Sequence, residues 1–309
     1  MKKDFLAIRD LTSDEIRELL VLARDLKAWV KKGEPHPVLA GKTIALIFEE
    51  PSLRTRVAFE TGMTQLGGHA IHLAPADIRL GQREPVPDAA RNLSRWVDGI
   101  VARTFSHQTV TGLAESASIP VINALTDLQH PCQILADLLT LEEKRGTLRG
   151  LTLAYIGDGN NVCNSLVEGA ARTGLRLIVA CPKGYEPDAE ILRVSRAEAS
   201  RSGATIEIVR DPMTAARGAD ALYTAVCTST GQEEEHAQRL KIFHDYQVNA
   251  KLVAQAKPDV LVMHCLPAHR GEEITDEVMD GPHSVVFDEA ENRLHAQKAI
   301  LVRLLGPKA

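Results

Sequence analysis

The chain has 309 residues, 44% of them apolar and 25% charged, and a net charge of −5. That length suits two domains of roughly 150 residues better than a single core. The acidic balance speaks against nucleic acid as a partner, and no apolar run approaches the ~20 residues of a membrane span. Five cysteines without a C-x-x-C pair, behind the start Met1-Lys2-Lys3-Asp4, point to reduced thiols in the cytoplasm. The chain shows no internal repeat and no low-complexity tract.

In chain order, Thr12-Ser13-Asp14-Glu15 signals a helix start, and Ile16, Leu19, Leu20 and Ala23 follow at helical spacing until Gly33–Pro37 closes the element. Thr43–Phe48 is an apolar strand. The polar run Ser52-Leu53-Arg54-Thr55-Arg56 follows it and enters a helix from about Arg54 to Leu66, ended by Gly67-Gly68. Residues 70–73 form a short strand, Asp77–Pro87 a polar loop and Ala89–Val97 a helix. Gly99–Arg103 is a buried strand ending on a charge, Val110–Ser116 a helix and Pro120–Asn123 a strand. A helix from His130 to Leu141, with Pro131 in its first turn, leads to a second strand series at 151–157, 177–180, 205–209, 221–224 and 260–263. The last helix, Ala290–Leu305, returns to the first half. Such alternation is an α/β pattern with parallel sheets, whose ligands bind beyond the carboxyl ends of the strands.

Polar islands fall at those ends. Ser52–Arg56 sets hydroxyls, guanidiniums and the N–H groups of a helix start around one point, which suits a phosphate; the plain alternative is a solvated pair of arginines and an N-cap serine. Arg103 ends an apolar strand, so it either meets an anion or reaches solvent. His130-Pro131-Cys132-Gln133 offers an imidazole at a helix start, where the dipole favours the neutral form, although a histidine there can also be purely structural. Asp158-Gly159-Asn160-Asn161 follows a strand where a dinucleotide fold carries its glycines, but the G-x-G-x-x-G pattern fails and no acidic ribose partner follows. His264-Cys265-Leu266-Pro267 ends the last strand; the thiol can act as a nucleophile or simply pack, and no H-E-x-x-H or cysteine pair supports a metal there.

Together with Arg103-Thr104 and Ala290-Glu291-Asn292-Arg293, these islands stand in the order and spacing of the carbamoyltransferases. The chain resembles the ornithine branch of the aspartate/ornithine carbamoyltransferase family from near its first helix to its last, and His264-Cys265-Leu266-Pro267 separates it from the aspartate branch. The resemblance implies an α/β fold of two domains, each a mainly parallel sheet flanked by helices. Residues 1–147, with a C-terminal helix at about 290–309 packing back on them, would bind carbamoyl phosphate, and residues 148–289 the amino acid. It further implies a homotrimer or multiple of trimers with sites at subunit boundaries, no cofactor and no metal. The implied reaction is transfer of the carbamoyl group to the δ-amine of L-ornithine, giving L-citrulline and phosphate, in arginine biosynthesis. Carried over residue by residue, Ser52, Arg54, Thr55 and the backbone of Leu53 hold the phosphate, and Arg79 reaches it from a neighbouring subunit. Arg103, His130 and Gln133 surround the carbamoyl group, and Arg293 returns to the same ligand. Cys265 and the carbonyl of Leu266 face the reacting nitrogen, while Asn161 and Ser229 bind the amino-acid end. Arg103, His130 and Cys265 carry the catalysis; Cys265 tunes the amine and forms no covalent bond.

The departures from the family pattern are as specific as the matches. Where the family has Asp-x-Trp-x-Ser-Met-Gly, this chain has Ala225-Val226-Cys227-Thr228-Ser229-Thr230-Gly231. The missing carboxylate removes a charge-assisted bond to the α-ammonium worth ~1.5–3 kcal/mol. Glu50 stands where lysine is common, and Arg79 where glutamine or histidine is common, an extra positive charge that offsets Glu50. Three readings follow: an ornithine carbamoyltransferase, a carbamoyltransferase for a related amine lacking a free α-ammonium, and a non-catalytic carbamoyl-phosphate-binding protein. The intact Arg103, His130, Gln133 and Arg293 oppose the third.

Overall fold

A computed structural model describes residues 2–228 and 233–307. The described chain divides into two compact units, one running to Leu139 and resuming at Glu291, the other Thr140–Ala290. Among the described residues no helix is long and apolar enough to cross a membrane.

The first unit holds α1 (Ser13–Lys32), β1 (Thr43–Phe48), α2 (Leu53–Gln65), β2 (His69–Leu73), α3 (Pro75–Ile78), α4 (Val86–Trp96), β3 (Gly99–Arg103), α5 (His107–Ser116), β4 (Val121–Leu125) and the start of α6 (Pro131–Arg145). The capping signal read at Thr12 is real. Its hydroxyl accepts from the Glu15 N–H at 3.2 Å, the Glu15 carboxylate accepts from the Thr12 N–H at 2.9 Å, and Gly33 ends the helix in the left-handed region at φ 69°. The four strands are parallel in the order β2-β1-β3-β4. The inner strands β1 and β3 are almost entirely buried, which is why they read as unbroken apolar runs. Ala45, Ile47, Ile100 and Ala102 form one core face with Val110 and Leu113 of α5. The stretch expected as a polar loop, Asp77–Pro87, is more ordered than that. The one-turn α3 begins at Pro75, an isolated bridge joins Leu80 to Glu84, and α4 starts at Val86 because Pro85-Val86-Pro87 suits a first turn.

The second unit takes the rest of α6, then β5 (Thr152–Ile156), α7 (Asn161–Thr173), β6 (Arg176–Ala180), α8 (Ala189–Ser202), β7 (Thr205–Val209), α9 (Pro212–Ala216) and β8 (Ala221–Thr224). After it come α10 (His236–Phe243), α11 (Ala250–Val253), β9 (Leu261–His264), α12 (Asp276–Met279) and the start of α13 (Val286–Leu305). Its strands are also all parallel, in the order β7-β6-β5-β8-β9. The α/β fold of two parallel, helix-flanked sheets is thus the one the strand spacing predicts.

Each order contains one place where the chain leaves in opposite directions from neighbouring strands: β1 beside β3 in the first sheet, β5 beside β8 in the second. At such switch points the loops beyond the carboxyl ends part and leave a crevice for a ligand. Glycine is required at one of these turns, since a Cβ on Gly159 would come within 2.3 Å of the Glu186–Pro187 backbone.

Candidate active site

The first switch point collects positive charge. Ser52 occupies the N-cap of α2 but its hydroxyl makes no cap bond, and the helix start presents its first backbone N–H groups there. Arg103 ends β3, where its guanidinium forms no hydrogen bond or ion pair among the described residues and its Nε is buried without a partner. Burial, then the charges of Arg293 and Arg54, push its pKa down to about 10, while Glu50 opposes them weakly. Arg54, Arg103 and Arg293 are thus close enough to act on one another, with Glu50 the acidic group that acts on Arg103. Like charges gathered this closely suit an anion that arrives from outside.

Arg293, 2% exposed on α13, donates from Nη2 to Thr55 Oγ1 at 2.9 Å and from Nη1 to Gln133 Oε1. Gln133 Nε2 in turn donates to Asp137 Oδ1 at 2.8 Å, so the amide orientation is set by its two partners. Because the Thr55 oxygen accepts from Arg293, its own proton remains available to a ligand. Gln133 thus accepts from Arg293, a contact that its sequence context does not reveal. His130, immediately before Pro131 of α6, is held well below the ordinary imidazole range by burial first and then by Arg293, Arg103 and Arg54. It is neutral at physiological pH. Desolvation and the neighbouring guanidiniums thus favour the same neutral form that the helix start was expected to favour.

Two expected contributors stand elsewhere. Arg56, the second arginine of the phosphate run, points along α2 and pairs with Glu60, Nε to Oε1 2.8 Å, one turn on. Arg79 is exposed at the C-cap of α3 with φ 43°, and lines a cavity of about 430 Å³ with Phe48, Glu49, Gln82 and Phe105. Arg79 is not among the charges acting on Arg103 or His130 of its own chain.

The second switch point is lined mainly by amides and hydroxyls, with one buried carboxylate, Asp158, after β5. Asn160 caps α7, accepting from the Val162 and Cys163 N–H groups at 3.0 and 3.2 Å, and Asn161 is the first helical residue. Tyr155, stacked on Tyr223 at 5.8 Å, donates to Asp158 O and Asn160 Oδ1. Ala225 follows β8, 1% exposed, and presents only a methyl group where a carboxylate would stand in the family pattern. Ser229, expected to contact the amino acid, and Thr230 lie outside the described residues.

What leads into that loop is held by a group that sequence reasoning missed. Arg239 of α10, 3% exposed, donates from Nε to Cys227 O at 2.5 Å and from Nη2 to Asp158 Oδ2, and lies over the rings of Tyr185 and Phe243 at 5.0 and 5.3 Å. Burial pushes the Asp158 carboxyl up to about 6 against the pull of Arg239, so the pair is ionised at neutral pH. A second missed group orients the loop after β9. The Leu266 N–H donates to His264 Nδ1 at 2.8 Å, so the proton resides on Nε2 and is donated to Glu273 Oε1 at 3.0 Å. The His264 N–H meets Glu289 Oε2 at 3.0 Å. Leu266, at φ 56°, sits in a region that costs a leucine about 1 kcal/mol, and this network keeps it there. Cys265 is half-buried beside it, as adjacent strand-end residues facing opposite ways require.

Two doubly wound units, one gathering guanidiniums at its switch point and the other amides at its own with a thiol after β9, are the architecture of an α/β enzyme class. The chain belongs to the aspartate/ornithine carbamoyltransferase family. Residues 3–143 match the family's carbamoyl-P binding domain and residues 149–304 its Asp/Orn binding domain. It is 56% identical over 304 residues to an ornithine carbamoyltransferase of Carboxydothermus hydrogenoformans, covering 98% of both chains. It is 51% identical to an anabolic ornithine carbamoyltransferase of Pyrococcus furiosus, over 98% of this chain and 96% of that protein. Among solved structures, the ornithine carbamoyltransferase from Pyrococcus furiosus superposes with a TM-score of 0.97 at 50% identity, over 99% of this chain and 98% of that one.

Proposed function

We propose that this chain transfers the carbamoyl group of carbamoyl phosphate to the δ-amine of L-ornithine, giving L-citrulline and phosphate in the biosynthetic direction. The observation that carries the reading is the cluster of Arg54, Arg103 and Arg293, all of which act on neutral His130. Carbamoyl phosphate is already an activated acyl donor, so the protein has to align the amine and stabilise charge moving onto the carbonyl oxygen and the departing phosphate. Ser52, Arg54, Thr55 and the N–H groups at the start of α2, Leu53 among them, hold the phosphate. Arg103 and His130 donate to the carbonyl oxygen, a stabilisation of roughly 3–4 kcal/mol per well-placed donor. Arg293, held by Gln133, binds the same ligand.

The amine enters neutral and attacks the carbamoyl carbon. The C–N bond forms as the C–O bond to phosphate breaks, and the leaving phosphate takes the surplus proton. Cys265 and the Leu266 carbonyl face that nitrogen, while Asn161 and Ser229 take the amino-acid end. No nucleophilic side chain, cofactor or metal enters this reaction. Arg79 completes the phosphate grip from a neighbouring copy in a homotrimer. The reaction is cytoplasmic, in keeping with five free thiols.

Ala225 favours a second reading, a related amine without a free α-ammonium. Citrulline formation from carbamoyl phosphate and ornithine, run beside a panel of alternative amines, tests both. Preferred turnover of ornithine supports the first, preference for an α-blocked amine the second, and carbamoyl transfer to none of them overturns both in favour of a binding protein.

A further inference from the structure

Away from the residues assigned to carbamoyl transfer, the second unit draws metal-ligating atoms together on two segments. His236 opens α10, and His269, Glu272 and Glu273 lie on the loop after β9. The Glu272 carboxylate stands between two imidazoles: His269 Nδ1 is 3.4 Å from Oε2 and His236 Nε2 is 3.5 Å from Oε1. The two rings meet edge to face with centroids 6.5 Å apart. Donor atoms of His269, Glu272 and Glu273 all lie within 4.8 Å of one another.

Behind them Glu273 is 1% exposed. Its Oε1 accepts from His264 Nε2 and from the His269 N–H at 2.6 Å, while its Oε2 is buried with no hydrogen-bond partner. A carboxylate oxygen kept from water with nothing to accept is costly unless a cation or donor serves it.

Distances and donor types agree on the cation. Charge-assisted N–H···O bonds settle at about 2.7–2.9 Å, and both contacts here are longer. They approach the ~3.3 Å that separates two ligands on a tetrahedral ion with bonds of about 2.0–2.1 Å. Two imidazoles and a carboxylate are a zinc-type donor set, whereas calcium and magnesium take oxygen ligands. His236 Nδ1 lies 3.2 Å from Thr228 Oγ1, which orients the ring with Nε2 toward Glu272, as the outer hydrogen bond of a metal-bound histidine does.

The geometry points to a divalent transition-metal site, for zinc, cobalt or nickel, built on the mutually close donors of His269, Glu272 and Glu273, with His236 Nε2, 3.5 Å from the other Glu272 oxygen, drawn in as the fourth ligand. An ion there clamps the start of α10 to the loop after β9, and so stiffens the two segments that approach the amino-acid side of this unit. The site is independent of the carbamoyl chemistry and stands or falls without it.

Cobalt titration of the full chain, carrying Cys265→Ser to remove its least buried thiol, tests the assignment. One equivalent binds with the visible absorption of a tetrahedral ion. His236→Ala, His269→Ala and Glu272→Gln each weaken binding at least about tenfold, and His244→Ala leaves it unchanged. Because these side chains are exposed or only half-buried and belong to no apolar core, the metal-free variants keep the parent melting temperature. In the unsubstituted chain zinc also protects His236 and His269 from carbethoxylation, a readout that requires no variant. Absence of saturable one-to-one binding, affinity indifferent to the three substitutions, or unprotected histidines overturns the proposal.

Discussion

Replacing Arg103 by methionine separates the cost of the anion site from its use. Among the described residues the Arg103 guanidinium makes no hydrogen bond and its Nε is buried without a partner, so the substitution removes a charge while breaking no hydrogen bond there. At pH 7 this group is charged in both the folded and the unfolded chain, and a folded pKa held down to about 10 counts in full against folding. Each tenfold change in a protonation constant is about 1.4 kcal/mol, which makes the penalty roughly 3 kcal/mol. Solvent reaching the partly exposed side chain reduces it to ~1–3 kcal/mol.

Methionine preserves much of the stem's apolar packing. Ligand-free Arg103→Met is therefore more stable than the parent, and a gain of 2 kcal/mol raises Tm by about 4–8 °C for a unit of this size. Scanning calorimetry with and without phosphate reads both halves of the effect. The parent gains about 2.7 kcal/mol at a hundredfold excess of phosphate over Kd, and the variant loses most of that gain together with at least about a hundredfold in carbamoyl-transfer rate. A ligand-free variant that melts several degrees below the parent, or one that retains the full phosphate shift, refutes the reasoning.

Cys265→Ser lowers turnover without abolishing it, and intact-mass analysis of the parent during turnover finds no carbamoyl thioester; a trapped adduct on Cys265 would contradict the direct transfer. Asp158→Asn leaves buried Arg239 with the more exposed Glu235, Nη1 to Oε2 3.5 Å, as its remaining counter-charge among the described residues, destabilising the second unit by ~3 kcal/mol in urea titrations and raising KM for ornithine while KM for carbamoyl phosphate is unchanged. Lys298, fully buried on α13, donates to His36 Nε2 at 2.6 Å and Gln65 Oε1 at 2.8 Å, and burial holds its pKa down at about 8. A base with a depressed folded pKa is protonated more in the unfolded chain between pH ~8 and ~10.4, so stability rises with pH across that window, by up to ~3 kcal/mol. Lys298→Met removes that rise in a comparison of denaturation midpoints at pH 7.5 and 10; an identical slope in both proteins argues against the assignment.

Much of the molecule was legible because its polar residues interrupt apolar strands at the ends where parallel sheets bind ligands. Arg103 after β3, His130 after β4 and Cys265 after β9 stood out by that placement, which left a structural role open for each; the family resemblance supplied their expected roles. Arg56 takes the surface role that the plain alternative gave it, paired with Glu60 four residues later. What stayed hidden depends on contacts far apart in the chain: Asp158 with Arg239 across 81 positions, His36 with Lys298 across 262. No periodicity marks a buried lysine whose neighbours are an imidazole and an amide. The orientation of Gln133 was equally invisible, since it follows from Arg293, 160 residues away.

That last contact has a bearing on how the protein is made. Thr55 and Gln133 are synthesised early, yet the guanidinium they hold arrives 238 positions after Thr55, on α13. A nascent chain can assemble the first sheet long before it can grip its donor. Substrate therefore cannot steer early folding, and any truncation before residue 293 yields a protein that folds its first strands around a site with one wall missing.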